Sequence, residues 1–128
     1  MMRDMNTLNT AQNVTVFGIP NCDTVKKART WLTDHCIDYL FHDFKKQDVP
    51  ADLLPGWIAA VGWEKLVNCK GTTWRKLDDA TRAAVVDAAS ASTVMLANPS
   101  VIKRPVVVWG DGRITVSFNA TEWQSLDP

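Results

Sequence analysis

The stretch Val14-Thr15-Val16-Phe17-Gly18-Ile19-Pro20-Asn21-Cys22-Asp23-Thr24-Val25-Lys26-Lys27-Ala28-Arg29-Thr30-Trp31-Leu32 decides the fold. Its first four residues are β-branched or aromatic, which predicts a short strand closed by Gly18 and Pro20. From Asp23 the periodicity becomes helical. Val25, Ala28, Trp31 and Leu32 follow i, i+3, i+4 spacing, and Lys26, Lys27 and Arg29 take the wet face. Asn21 is placed to act near the N-cap, and Asp23 suits the positive end of the helix dipole. The chain therefore reads strand, tight turn, helix, with a cysteine in the turn.

Working outward, residues 37–44 alternate as a second strand: Ile37, Tyr39 and Phe41 against Asp38, His42 and Asp43. A strand returning after a helix implies a βαβ unit with a right-handed crossover. A helix is expected over 51–61, with Trp57, Ile58 and Val61 as its apolar side. Another is expected over 78–91, and a short one over 92–97 ended by Asn98-Pro99. Pro105-Val106-Val107-Val108-Trp109 then predicts a strand, Gly110-Asp111-Gly112 a hairpin turn, and residues 113–118 the partner strand. Residues 119–125 suit a closing helix. This order, β-α-β, a helical middle, then β-β-α, is that of an α/β domain over 13–128 with a helical insertion at about 48–98. Residues 1–12 lack periodicity and an aromatic anchor and are expected to form a disordered leader.

The 128 residues can bury a substantial core, and 46% hydrophobic with 22% charged residues is ordinary for a globular chain. Fourteen Lys+Arg balance fourteen Asp+Glu, so charge gives no footprint for nucleic acid or membrane. The polar first twelve residues lack the apolar region of a secretory signal. No apolar run approaches the roughly 20 residues that span a bilayer. Three cysteines, Cys22, Cys36 and Cys69, cannot all pair within the chain. Free thiols in a reducing, cytoplasmic compartment are the expectation.

Cys22 stands where a thiolate is easiest to form. A helix N-terminus carries about half a positive charge and unpaired N–H groups, which can bring a cysteine pKa down to roughly 3.5–7.5. The thiolate is the form that attacks disulfides. The alternative is a buried structural cysteine, but Pro20-Asn21 and Asp23-Thr24 are polar flanks for a core position. A C-x-x-C pair is absent, because Val25 occupies the fourth position. A mixed disulfide on Cys22 then needs an outside thiol such as glutathione for its resolution. Ala28 stands where a C-x5-R phosphate loop would carry arginine. His35 and His42 lack paired metal-ligand spacing, so no metal is expected.

Three separated motifs in order, Phe17-Gly18-Ile19-Pro20-Asn21-Cys22-Asp23-Thr24-Val25-Lys26-Lys27-Ala28, Gly71-Thr72-Thr73-Trp74-Arg75-Lys76-Leu77 and Ile102-Lys103-Arg104-Pro105-Val106, resemble the arsenate-reductase-like (ArsC/Spx) family. The resemblance is strongest to its YffB branch of glutathione-dependent thiol reductases and runs from about residue 13 to 125. It implies a thioredoxin-like fold with a helical insertion. It also implies that Pro105 is the cis-proline facing the reactive cysteine, where the residues alone would also allow a trans proline at a strand start. Arg104 matches the family's oxyanion-binding arginine, whose guanidinium can stabilise a thiolate or hold a carboxylate; by sequence alone it could be a surface residue. Arsenate reductases carry two further arginines, at whose places this chain has Asn68 and Val116. Losing two charged hydrogen bonds, at about 1.5–3 kcal/mol each, argues against arsenate reduction. The Spx regulators mostly use a C-x-x-C switch, which Val25 removes.

The middle motif is expected to be a polar loop able to hold a peptide-like thiol, or an ordinary loop with Trp74 packed inward. Thr72, Thr73, Arg75, Lys103 and Pro105, with Asn21 and Thr24, are the candidate substrate-binding residues. Cys22 and Arg104 are the candidate catalytic pair. Cys69 is a candidate resolving thiol, and Cys36, at the end of the first helix, is expected to be packed. The sequence thus points to a glutathione-dependent thiol–disulfide reductase with a monothiol mechanism. Glutathione would be the co-substrate and a disulfide or mixed disulfide the substrate. The competing reading is a non-enzymatic regulator that contacts a protein such as RNA polymerase, with Cys22 a redox sensor.

Overall fold

The computed structural model describes residues 14–125, so the leader expected over 1–12 lies outside the described residues. Along the chain run β1 (Val14–Gly18), α1 (Asp23–Asp34), β2 (Tyr39–Asp43), α2 (Phe44–Gln47), α3 (Leu54–Val61), α4 (Trp63–Leu66) and α5 (Thr72–Lys76). They continue with α6 (Asp79–Ala83), α7 (Ala88–Ala97), a 3-10 turn (Pro99–Val101), β3 (Val106–Val108), β4 (Ile114–Val116) and α8 (Ala120–Gln124). The chain divides into two compact units, one of residues 14–43 with 104–125, the other Phe44–Lys103.

In the first unit the described strands form one sheet in the order β2-β1-β3-β4. β2 lies parallel to β1, while β3 is antiparallel to both β1 and β4. This β-α-β…β-β-α sheet is the thioredoxin-like arrangement. Its core follows from strand alternation. Val14 and Val16 of β1 share a buried cluster with Val107 and Trp109, and α1 adds Ala28, Trp31 and Leu32. Trp123 of α8 joins the cluster, with its ring edge-on to Trp31 (5.4 Å), Trp109 (4.9 Å) and Phe118 (4.8 Å).

α1 stops at a Schellman motif. Cys36 adopts φ 57°, its N–H donates to the Thr33 carbonyl (3.0 Å), and the Ile37 N–H donates to the Leu32 carbonyl (2.9 Å). Ile37 and Leu32 are both buried in the core cluster, the apolar contact this motif favours. The packed position expected for Cys36 is therefore overturned: it is the left-handed residue that turns the chain, and it is exposed. The same motif shortens the predicted second strand, because Ile37 and Asp38 complete the helix exit before pairing begins at Tyr39.

The tail hairpin turns through three residues. The Gly112 N–H donates to the Trp109 carbonyl (2.9 Å), the Trp109 N–H donates to the Arg113 carbonyl (2.8 Å), and Gly112 takes φ 92°. A left-handed residue closing a three-residue loop is the reason glycine stands there.

In the second unit the helix expected from residue 51 begins at Leu54. Pro55 has no N–H to donate and so belongs in a first turn. The helix expected over 78–91 is two helices, because Asp87 starts a new one. Its carboxylate accepts from the Ser90 N–H (2.9 Å), and the Ser90 hydroxyl oxygen accepts from the Asp87 N–H (3.1 Å), forming a capping box. α7 then runs unbroken to Ala97, absorbing the separate short helix expected over 92–97. The polar loop expected at Gly71–Arg75 is also corrected: Gly71 is the N-cap of α5. Leu54, Trp57, Leu66, Ala91 and Met95 are buried within this unit. An antiparallel bridge joins Val67 to Ile102 within this unit, flanked by Asn68 N–H to the Val101 carbonyl (2.7 Å) and Lys103 N–H to the Leu66 carbonyl (2.7 Å).

Candidate active site

Cys22 is itself the N-cap of α1, the place assigned from sequence to the neighbourhood of Asn21. Its backbone is extended (φ −140°, ψ 125°), and its carbonyl accepts the first intrahelical bond from the Lys26 N–H (2.9 Å). An N-cap side chain normally accepts from the N–H of the second or third helical residue. Here those residues are Thr24 and Val25, and the side chain aimed at them ends in sulfur. Burial pushes the half-buried thiol up, but it is outweighed. The Val25 N–H, the Arg104 guanidinium (by hydrogen bond and by charge) and the Thr24 N–H together hold the pKa below the ordinary thiol value. The sulfur closes no cap hydrogen bond of full geometry. The lowering therefore rests on several converging donors rather than on one short bond.

Arg104 reaches Cys22 because of strand register. β1 and β3 pair Thr15 with Val108 and Phe17 with Val106. Extending that register by one residue sets Gly18 opposite Pro105, so the Pro20–Cys22 turn and the Arg104-Pro105 pair leave the same end of the sheet. The Arg104–Pro105 peptide is cis, and Pro105 is buried. The Pro105 carbonyl accepts from the Ser117 N–H (2.9 Å), and the Lys103 N–H is engaged with Leu66.

The structure brings Cys22, Thr24, Arg104 and Pro105 to one end of the first unit. Thr24 contributes through its backbone N–H, and Asn21 is exposed beside the thiol. Thr72, Thr73, Arg75 and Lys103 lie in the second unit, where Thr72, Arg75 and Lys103 are exposed and Thr73 is half-buried. The Arg75 carbonyl accepts from Arg82 (2.8 Å), and Arg82 also pairs with Asp79. Cys69 is exposed in that unit as well. Sequence reasoning missed Val25 as a contributor. Its signal was the N-cap rule, which makes the third helical N–H the natural donor to whatever side chain caps the helix. Val25 is also fully buried, so the place a second cysteine would take in a dithiol is filled by core packing. Among the described residues, no helix is long and apolar enough to cross a membrane.

Several known proteins are similar to this chain over most of its length. The solved structure of a YffB protein is 43% identical, with a TM-score of 0.83, covering 90% of this chain and 99% of that one. An arsenate reductase (ArsC) related protein from Brucella melitensis is 50% identical, with a TM-score of 0.69, covering 88% of this chain and 92% of that one. The global transcriptional regulator Spx of Streptococcus pyogenes is 28% identical over 112 residues, 85% of this chain and 81% of its own length. The ArsC family model matches residues 17–126, a span that takes in the Cys22 turn, the middle helices and the Arg104-Pro105 pair. The chain belongs to the ArsC family.

Proposed function

We propose that this protein is a glutathione-dependent thiol–disulfide reductase that works through Cys22 alone. The observation that carries the reading is the Cys22 thiol at the N-cap of α1, held below its ordinary pKa by the Val25 and Thr24 N–H groups and Arg104, with valine at the fourth position of the motif. The Cys22 thiolate attacks the glutathione sulfur of a mixed disulfide. A Cys22–glutathione disulfide forms, and the substrate leaves as a thiolate that takes a proton from water. The thiolate of a second glutathione then attacks that disulfide, releasing oxidised glutathione and restoring the Cys22 thiolate. Net, the mixed disulfide and one free glutathione become the substrate thiol and oxidised glutathione, one of whose halves came from the substrate. Arg104 and the α1 N-terminus stabilise the thiolate each time it is the leaving group. Thr72, Thr73, Arg75 and Lys103, with Asn21, are proposed as glutathione contacts on the resemblance. Addition of glutathione to labelled protein should then shift their amide resonances together with that of Cys22. Arsenate is not the substrate in this reading, because Asn68 and Val116 replace the family's two further arginines.

The test is Cys22→Ser in a coupled assay with glutathione, glutathione reductase and a glutathionylated peptide. Turnover should fall to the uncatalysed rate; a variant within a few-fold of the parent sinks the proposal. Without glutathione, the parent protein should accumulate a Cys22–glutathione disulfide by mass spectrometry. A Cys22–Cys69 disulfide would instead assign resolution to Cys69. The similarity to Spx favours one second reading, a regulator that contacts RNA polymerase with Cys22 as sensor. A reactive Cys22 without turnover, with polymerase retained on the immobilised protein, would establish it.

A further inference from the structure

Gly18 is buried at the end of β1, four residues before the thiol, and the mechanism above gives it no part. A Cβ at this position would lie 3.0 Å from Cγ2 of Val25 and 3.9 Å from Cβ of Arg104. Those are two of the three residues whose groups act on the Cys22 sulfur, Val25 through its N–H and Arg104 through its guanidinium. Val25 is fully buried and β-branched, so it has little rotamer freedom with which to yield. A methyl at residue 18 therefore requires Val25, and with it the first turn of α1 that carries it, to give by a few tenths of an ångström. The stem of Arg104 would be in ordinary contact with the same point.

We propose that Gly18 is a positioning residue for Cys22: its missing side chain sets how closely the first turn of α1 and the Arg104 stem approach each other around the sulfur. Other glycines differ. Gly56 and Gly112 would meet nothing within 4 Å, and Gly62 would meet only a Glu64 carboxylate tip at 3.7 Å. Gly71 is tight against Asn68, but it serves the cap of α5 in the second unit. Among these, only at Gly18 does an added methyl press on donors to the thiol. The inference rests on the reading of Cys22 as the working thiol, and it concerns the geometry that activates this sulfur rather than the substrate.

The experiment follows Cys22 alkylation by iodoacetamide against pH at the Cys22 peptide by mass spectrometry, in the full chain. It compares the parent with Gly18→Ala, Val25→Ala and the double variant, each checked for folding by circular dichroism. Gly18→Ala should move the alkylation midpoint upward. At pH values below both midpoints alkylation should slow roughly threefold, the ratio a half-unit rise gives through the thiolate fraction. The double variant, in which the Val25 methyls no longer oppose residue 18, should return to the midpoint of Val25→Ala alone. A merely destabilising methyl would lower the melting temperature and leave the midpoint in place. A folded Gly18→Ala protein with the parent midpoint overturns the proposal. So does a double variant displaced from Val25→Ala, or one unable to fold where Val25→Ala folds. If Gly18→Ala raises the midpoint while the parent shows no glutathione turnover, the reductase reading fails and the role of Gly18 stands. If turnover is present and the Gly18→Ala midpoint does not move, the reverse holds.

Discussion

A cysteine in the N-cap position takes over a task usually given to serine, threonine or aspartate: satisfying the first helical N–H groups with a side-chain acceptor. Sulfur is a weak acceptor as a thiol and a much better one as a thiolate, so the vacant donors of α1 favour ionisation. Arg104 adds a charge that no local rule supplies. Arg104→Ala should raise the alkylation midpoint of Cys22 toward the ordinary thiol value near about 8.5, while Arg104→Lys should raise it less. An unchanged midpoint in Arg104→Ala would remove Arg104 from the site. The same lowering has a consequence for stability. Because the folded thiol titrates below its unfolded value, its ionisation favours folding fully above the unfolded pKa, and that contribution is lost as pH falls through the folded one. Relative to Cys22→Ala, the parent protein should therefore gain in urea midpoint as pH rises from the folded toward the unfolded pKa. The position of Cys22 was legible in the sequence because a cap and a helical period are local. Its Arg104 partner is 82 residues away in the chain (104 less 22) and follows from sheet register.

Elements end where local chemistry ends them, and the errors in reading them lie at those ends. Cys36 is the left-handed C′ residue of α1, a place where glycine avoids the Cβ clash that costs other residues about 1–2 kcal/mol. Cys36→Gly should stabilise the protein by about 1 kcal/mol in urea denaturation, against the usual rule that glycine weakens helices. A destabilised variant would contradict the Schellman assignment. The division of the predicted 78–91 helix has the same local origin. Asp87 and Ser90 bind each other's backbone N–H groups more effectively than a continuous helix could use them. That D-x-x-S spacing stood in the sequence but was outweighed by the alanines around it. Gly71 likewise looked like a loop residue although a glycine can cap a helix.

At the scale of the molecule, Trp123 closes the sheet face of the first unit. It is fully buried and meets Trp31, Trp109 and Phe118 edge-on, the geometry that ring quadrupoles prefer. Trp123→Ala removes these contacts together and should cost about 3–5 kcal/mol, a large share of a stability of about 5–15 kcal/mol. Urea titration followed by circular dichroism tests this, and a loss under about 1 kcal/mol would show that the short α8 is not part of the core. Nothing local marked Trp123 for this role. It lies in a five-residue helix near the end of the described chain, and its neighbours come from α1, from the turn after β3 and from the segment after β4.

The sequence by itself determined the strand–turn–helix that carries Cys22, the hairpin made by Gly110-Asp111-Gly112, and the β-α-β…β-β-α order. All of these rest on periodicity and turn chemistry within about fifteen residues. It also determined that no second cysteine follows at the fourth position. Only the tertiary structure decided that Cys22 itself caps α1 and that Arg104 lies beside its sulfur. It alone showed Cys36 facing solvent and the space at Gly18 filled by Val25 and the Arg104 stem. The placement of Arg104 and the space at Gly18 depend on which strands pair and in what register. That is fixed by burying Val14, Val16, Val107 and the tryptophans together, a collective free energy that no single stretch of sequence contains.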